Sequence, residues 1–167
     1  MKPILTGFCQ LAYVTNDIDE GMALYATYGV PSFHRLDAEL PAEANGEAGT
    51  IKLKVALANV EGVQIELIEP VADLGGFYNS AIAGQTGFAL GLHHVCQKLT
   101  RDFADWEAHI AELGGPRRPI VCSARADDYA RIVFTDDRKL LGAYIEHIWM
   151  TPEAWADMGS RVPFHAA

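Results

Sequence analysis

Positive charge is in short supply: 13 lysines and arginines stand against 22 aspartates and glutamates, a formal net charge of −9. A surface that binds nucleic acid or an anionic membrane needs basic side chains to displace counterions, so neither partner is expected. Cysteine is scarce and odd in number. Cys9, Cys96 and Cys122 show no CxxC spacing, which argues against a thiolate zinc site or a dithiol motif and leaves three reduced thiols as small packing residues. Long apolar runs are missing too: no stretch reaches the roughly 20 residues that cross a bilayer. Met1-Lys-Pro-Ile-Leu5 has neither the hydrophobic segment nor the cleavage pattern of a secretion signal. A cytoplasmic protein is expected.

What is present is apolar content. Half of the 167 residues are hydrophobic, enough for one compact domain or for two small halves that share a core. The stretch Leu90-Gly-Leu-His-His-Val-Cys-Gln-Lys-Leu99 reads as a strand with two adjacent histidines. Alternation puts His94 on the face of Leu92 and Cys96 and turns His93 the other way with Val95, so only His94 is expected to face inward. An inward histidine is by itself more often a hydrogen-bonded core residue than a metal ligand. Upstream, Phe8-Cys-Gln-Leu-Ala-Tyr-Val14 has the same pattern, with Gln10 where His94 stands.

Each of these strands leads into a helix pattern that closes on glycine. In the first half Asn16-Asp17 supplies a cap, Ile18, Met22, Tyr25 and Tyr28 form the apolar stripe, and Gly29 ends it. A short strand is expected over 32–36, a solvated connecting loop over 37–49, and strands over 51–58 and 63–70. On the last of these Glu66 falls opposite the face that the helix covers; from this strand alone it reads equally as a solvated outward residue or as an inward carboxylate. The second half repeats the order. Phe103, Trp106, Ile110 and Leu113 make the helix stripe, and strands follow over 120–123, 129–135 and 142–149, the last carrying Glu146. Asp17 and Asp102 share the offset of Gly29 and Gly114, and Gln10 and His94 differ from it by one residue. The expected organisation is a first module over 1–70, a linker over 71–90, a second module over 91–150 and an extension over 151–167.

The repeat brings one polar residue on the first strand and one on the fourth strand of each half into equivalent positions: Gln10 and Glu66, then His94 and Glu146. Packing gives no reason for such a recurrence. His34, His109, His147 and His165 read as surface or packing residues. Lys52, Lys54, Arg117, Arg118 and Arg131 read as solvated, with an anionic substrate handle as the alternative.

The chain resembles the vicinal oxygen chelate superfamily of glyoxalases, bleomycin-resistance proteins and extradiol dioxygenases, through Gln10-Leu-Ala-Tyr-Val14, Ile65-Glu-Leu-Ile-Glu-Pro70, Gly91-Leu-His-His-Val95 and Leu141-Gly-Ala-Tyr-Ile-Glu146. Glyoxalase I and methylmalonyl-CoA epimerase are the most similar members. The resemblance implies an α+β fold of paired βαβββ modules and one divalent metal ion held by Gln10, Glu66, His94 and Glu146. It also implies proton transfer alpha to a carbonyl of a small-molecule substrate, with Glu146 and Glu66 as catalytic carboxylates, and a homodimer or a closely paired bilobal monomer. One imidazole among oxygen ligands does not choose among Zn, Ni, Co, Mn and Fe. Val14 stands where glyoxalase I carries a cation for glutathione, so a different substrate is expected. A ring-cleaving dioxygenase is the alternative enzyme, and a metal-free binding protein the alternative of another class.

Overall fold

In the computed structural model, residues 7–99, 102–115 and 118–166 are described. The first half runs β1 (Phe8–Thr15), α1 (Ile18–Thr27), β2 (His34–Ala44), β3 (Glu47–Val60) and β4 (Val63–Ala72). A 3-10 turn at Asn79–Ile82 leads to the second half: β5 (Leu90–Leu99), α2 (Phe103–Ala111), β6 (Ile120–Ala126), β7 (Ala130–Thr135), the single turn α3 (Arg138–Leu141) and β8 (Tyr144–Met150). The chain ends in α4 (Pro152–Arg161) and β9 (Phe164–His165). The strand, helix, three-strand order is thus present twice, as expected.

Parallel pairs β1–β4 and β5–β8 open the two halves, and β1 and β5 join them antiparallel. At the far side Ala42–Ala44 of β2 pair with Cys122–Ala124 of β6. Following the pairings from β1 through β4, β3, β2, β6, β7, β8 and β5 returns to β1, so the sheet closes into a barrel; β9 adds outside, on β3. Closure at β2–β6 is limited to these three residue pairs, so the rest of β2 pairs on one side only, with β3.

Residues 37–49 are not a solvated loop. They form the distal half of a long hairpin, with Asn45 and Gly46 as a two-residue turn at φ 50° and 82°. The cause is visible in the chain: Leu36, Ala38, Leu40 and Ala42 alternate with exposed Arg35, Asp37, Glu39, Pro41 and Glu43, and Asn-Gly favours the mirror-image turn that suits hairpin twist. The acidic side chains outweighed the period-two signal in the sequence reading.

Two apolar layers result. Val14, Leu53, Val55, Leu57, Ile68, Phe77 and Phe134 fill the barrel interior. Ile18, Ala56 and Leu67, with Met22, Tyr25 and Ile65 against them, form the layer under α1. Asp17 caps α1 through bonds from Asp19 N and Glu20 N, and Glu69 accepts from Ile18 N at 2.9 Å, fastening the helix start to β4. Tyr28 departs from the expected stripe; it is 77% exposed, because the helix ends before it.

The expected packing role of His109 and His147 takes a definite form. Alternation on β8 turns His147 away from Glu146 and toward α2, where a buried chain of bonds forms. Arg118 Nε donates to Asp137 at 2.8 Å and Thr135 Oγ1 donates to Asp137 at 2.7 Å. Thr135 therefore accepts from His147 Nε2 at 3.2 Å, and His147 Nδ1 accepts from His109 Nε2 at 3.0 Å. This arrangement requires a neutral His147. Burial, then the neighbouring His109 and Arg118 charges, push its pKa down to about 3. A depressed folded-state value means that this contribution to stability is complete above the ordinary histidine pKa of about 6.5 and is lost as pH falls from there toward about 3. Denaturant titrations should show the wild type losing about 3 kcal/mol more than His147→Gln between pH 6.5 and pH 4. Parallel pH profiles for the two proteins would refute this account of His147.

Candidate active site in the barrel

Gln10, Glu66, His94 and Glu146 lie on β1, β4, β5 and β8, which are contiguous in the barrel wall in the order β4-β1-β5-β8. Ala12 is the register partner of both Glu66 and His94; a small side chain there leaves room for the two to approach across β1. His94 Nε2 lies 3.3 Å from Glu66 Oε2 and 3.5 Å from Glu146 Oε2. Glu66 is an inward carboxylate rather than a solvated one: its side chain is 15% exposed, against 9% for Glu146 and 1% for His94. Gln10 Nε2 donates to Gln64 Oε1 at 2.8 Å, which commits its nitrogen and leaves the carbonyl oxygen for the cavity.

The sequence reading placed His93 on the opposite face, and the structure corrects this. On β5 the step from Leu92 to His94 is matched by the single step from Tyr13 to Ala12 on β1, so His93 is the extra residue of a β-bulge. A bulge breaks alternation. Both histidines therefore face the interior, with their Nδ1 atoms 2.9 Å apart, and His93 packs on Phe77, Tyr78 and Tyr144. A second bulge on β1 does the same for Cys9 and Gln10.

Proton positions follow from one carbonyl. His93 Nε2 is 3.2 Å from Phe77 O, and a carbonyl only accepts, so Nε2 carries the hydrogen. Burial, then the charge of His94, hold the His93 pKa well below the usual range, so the ring is neutral and its Nδ1 is an acceptor. His94 Nδ1 must then donate, which fixes Nε2 as the atom aimed between the two carboxylates. Gly91 makes the arrangement possible. A Cβ there would collide with the Ala81 carbonyl oxygen, so only glycine lets the Asn79–Ile82 turn press onto β5 and bring Phe77 to His93.

Burial alone would lower the His94 pKa, but Glu146 and Glu66 outweigh it and raise the value to about 9. Burial raises Glu66, only partly offset by His94. For Glu146 burial is overcome by His94 and by the Cys96 thiol, and the net shift is downward. The two carboxylates are therefore shifted in opposite directions.

Among the described residues, no three His, Cys, Asp or Glu side chains are already drawn together as a metal-binding group. The donor chemistry nevertheless fits a divalent ion. His94 Nε2 is buried and makes no well-directed hydrogen bond, and its 3.3 and 3.5 Å separations from the carboxylate oxygens it ion-pairs with lie close to the spacing of neighbouring ligands on one ion, about 3.0 to 3.4 Å for bonds near 2.1 Å. These atoms open on a cavity of about 140 Å³ lined mainly by apolar side chains, with Trp155 and Met158 of α4 on its wall. The extension thus packs on the chain's own body and walls the site. Lys98 Nζ lies 4.0 Å above the Trp155 ring.

No protein-family model and no curated protein matches the chain. Solved structures do. Methylmalonyl-CoA epimerase from Mycobacterium tuberculosis superposes at TM-score 0.53 with 16% identity, over 93% of this chain and 95% of that one. A Streptomyces coelicolor methylmalonyl-CoA epimerase variant bound to 2-nitronate-propionyl-CoA gives TM-score 0.56 and 22% identity, over 89% and 96%. The chain has the fold of these epimerases. A methylmalonyl-CoA epimerase solved with methylmalonyl-CoA and ammonium adds a TM-score of 0.53 at 20% identity, over 89% of this chain and 96% of that one. At these identities the likeness is one of fold, and the expected α+β class is borne out.

Of the expected site residues, Gln10, Glu66, His94 and Glu146 all line one cavity. Sequence reasoning missed Gln64, His93 and Trp155. Gln64 shares the Glu66 face by simple alternation and was legible. His93 was hidden by the bulge, and Trp155 by lying outside the repeat. The cations considered as a substrate handle are engaged elsewhere: Lys54 with Glu69, Lys52 with Glu39, Arg118 with Asp137 and Arg131 with Asp128. Arg117 lies outside the described residues.

Proposed function

We propose that the chain is a divalent-metal-dependent isomerase or epimerase that moves a proton alpha to a carbonyl of a small acyl substrate. The observation that carries the reading is the pair of buried carboxylates on either side of His94 Nε2, at 3.3 and 3.5 Å, placed as an acid and a base of one reaction must be. Gln10, Glu66, His94 and Glu146 would hold the ion, which when bound supplies a Lewis acid for the substrate carbonyl. Glu146, kept ionised by His94, takes the alpha proton. Glu66, shifted up by burial, returns a proton from the other side, since the two lie on the outer strands of the four. Leu53, Val55, Leu57 and Met158 around the cavity exclude water from the carbanionic centre.

The cavity sets the scale of the reacting part. About 140 Å³ is less than half the smaller pockets that take whole drug-sized ligands, about 300 Å³, so it suits a short acyl group and leaves any carrier outside. Deuterium wash-in from D₂O at the alpha carbon of acyl-CoA and α-hydroxy-carbonyl compounds, measured anaerobically with several metals, tests the reading. Metal-dependent exchange is expected without O₂, and turnover that requires O₂ and Fe²⁺ would replace this reading with ring-cleaving chemistry.

A further inference from the structure

The bulge on β1 turns Cys9 onto the cavity face, and there it meets a second thiol. Cys9 Sγ lies 3.3 Å from Cys96 Sγ and 3.7 Å from the Cys96 carbonyl oxygen. Both line the cavity beside Gln10 and Glu146. Cys96 is 2% exposed and Cys9 half-buried, whereas Cys122 lies 1% exposed within the apolar interior. Ordinary packing accounts for Cys122. It does not account for a strand that gives up a regular position in its ladder to set one thiol against another.

We propose that Cys9 and Cys96 are an oxidation site, closed to a disulfide by a hydroperoxide that enters the cavity. The enclosure selects the oxidant: about 140 Å³ admits hydrogen peroxide, which is little larger than water at about 30 Å³, and not a bulky organic disulfide. Cys9, the more accessible sulfur, attacks one peroxide oxygen; the O–O bond breaks, and Cys9 becomes a sulfenic acid with release of water. Cys96 then attacks the Cys9 sulfur, the S–O bond breaks, and a second water leaves. Two thiols are oxidised by two electrons and one peroxide is reduced to two waters. Reaching a bond of about 2.05 Å needs roughly 1 Å of approach between the sulfurs, which the two side chains can share.

The bond would tie β1 to β5, the joint between the two halves. It is also placed to act on the site, since Cys9 adjoins Gln10 and Cys96 pairs in register with Glu146. The proposal concerns the bond itself and holds whether or not the cavity takes a metal ion.

The test uses the full chain, reduced, freed of metal with a chelator, exposed to hydrogen peroxide and then alkylated. Intact mass should fall by two hydrogens, one alkylatable thiol should remain, and peptide mapping should find Cys9 linked to Cys96 and Cys122 alkylated. Dithiothreitol should restore three free thiols. In Cys96→Ser, dimedone should trap a sulfenic acid on Cys9. Three alkylatable thiols in the wild type after peroxide would overturn the proposal, as would Cys9 converted to sulfinic acid without the link, or a link only between two chains.

Discussion

His94→Ala should abolish tight divalent-metal binding, and His93→Phe should weaken it by about 10- to 100-fold, the range for losing a partner that orients a ligating histidine. The two effects have different origins. His94 places its Nε2 between Glu66 and Glu146, so on the proposed reading its removal takes away a ligand. It also leaves two buried carboxylates without a counter-charge, at a cost of about 3 to 5 kcal/mol in the metal-free protein. His93 touches no ligand position. It accepts from His94 Nδ1 and donates to Phe77 O, and phenylalanine can do neither, so the His94 ring loses the bond that fixes which nitrogen faces the carboxylates. Glutamine can do both, and His93→Gln should recover binding to within a few-fold of wild type. Competition against a chromophoric chelator measures the affinities, and the ring ¹⁵N signals of the zinc-loaded protein report whether His94 Nδ1 keeps its proton. Equal loss in His93→Phe and His93→Gln would mean that His93 supports only the fold around it, and undiminished loading of His94→Ala would remove His94 from the site.

The same residues show what the chain disclosed about itself. The paired modules were legible because alternation on the strands and a glycine-terminated stripe on each helix recur at nearly one offset, and the four polar positions recur with them. The closure of the barrel was not legible. It depends on Ala42–Ala44 reaching β6, which needs the long hairpin that the acidic residues of 37–49 disguised as loop. The inward turn of His93 was hidden for another reason: a bulge is a relation between two strands, and the one-residue slip in the repeat shows only that the register breaks somewhere. Cys9 and His93, each immediately before a site residue, occupy matching bulges at the junction of the halves. The α4 wall could not be inferred from the repeat, because nothing in the first half corresponds to it.

Glu66→Gln and Glu146→Gln should each reduce epimerisation by about 10²- to 10⁴-fold, the usual worth of a positioned acid or base and about 2.7 to 5.5 kcal/mol of barrier. Deuterium exchange should separate them. If Glu146 removes the alpha proton of one enantiomer and Glu66 that of the other, each variant keeps wash-in from the enantiomer that its remaining carboxylate faces while losing interconversion. The environments support unequal roles: Glu66 is shifted up chiefly by burial, whereas the nearby His94 overcomes burial at Glu146 and shifts it down. Glu146→Gln should therefore be the more damaging change, because it removes the carboxylate whose charged form His94 favours. Both residues are also expected ligands, so metal content has to be measured in each variant and the rates compared at equal loading. With equal loading, loss of exchange from both enantiomers in either variant would leave one carboxylate as the sole base and rule out a two-sided mechanism. Rates that simply follow metal content would reduce both residues to ligands, and the proton would have to be moved by some other group on the cavity wall.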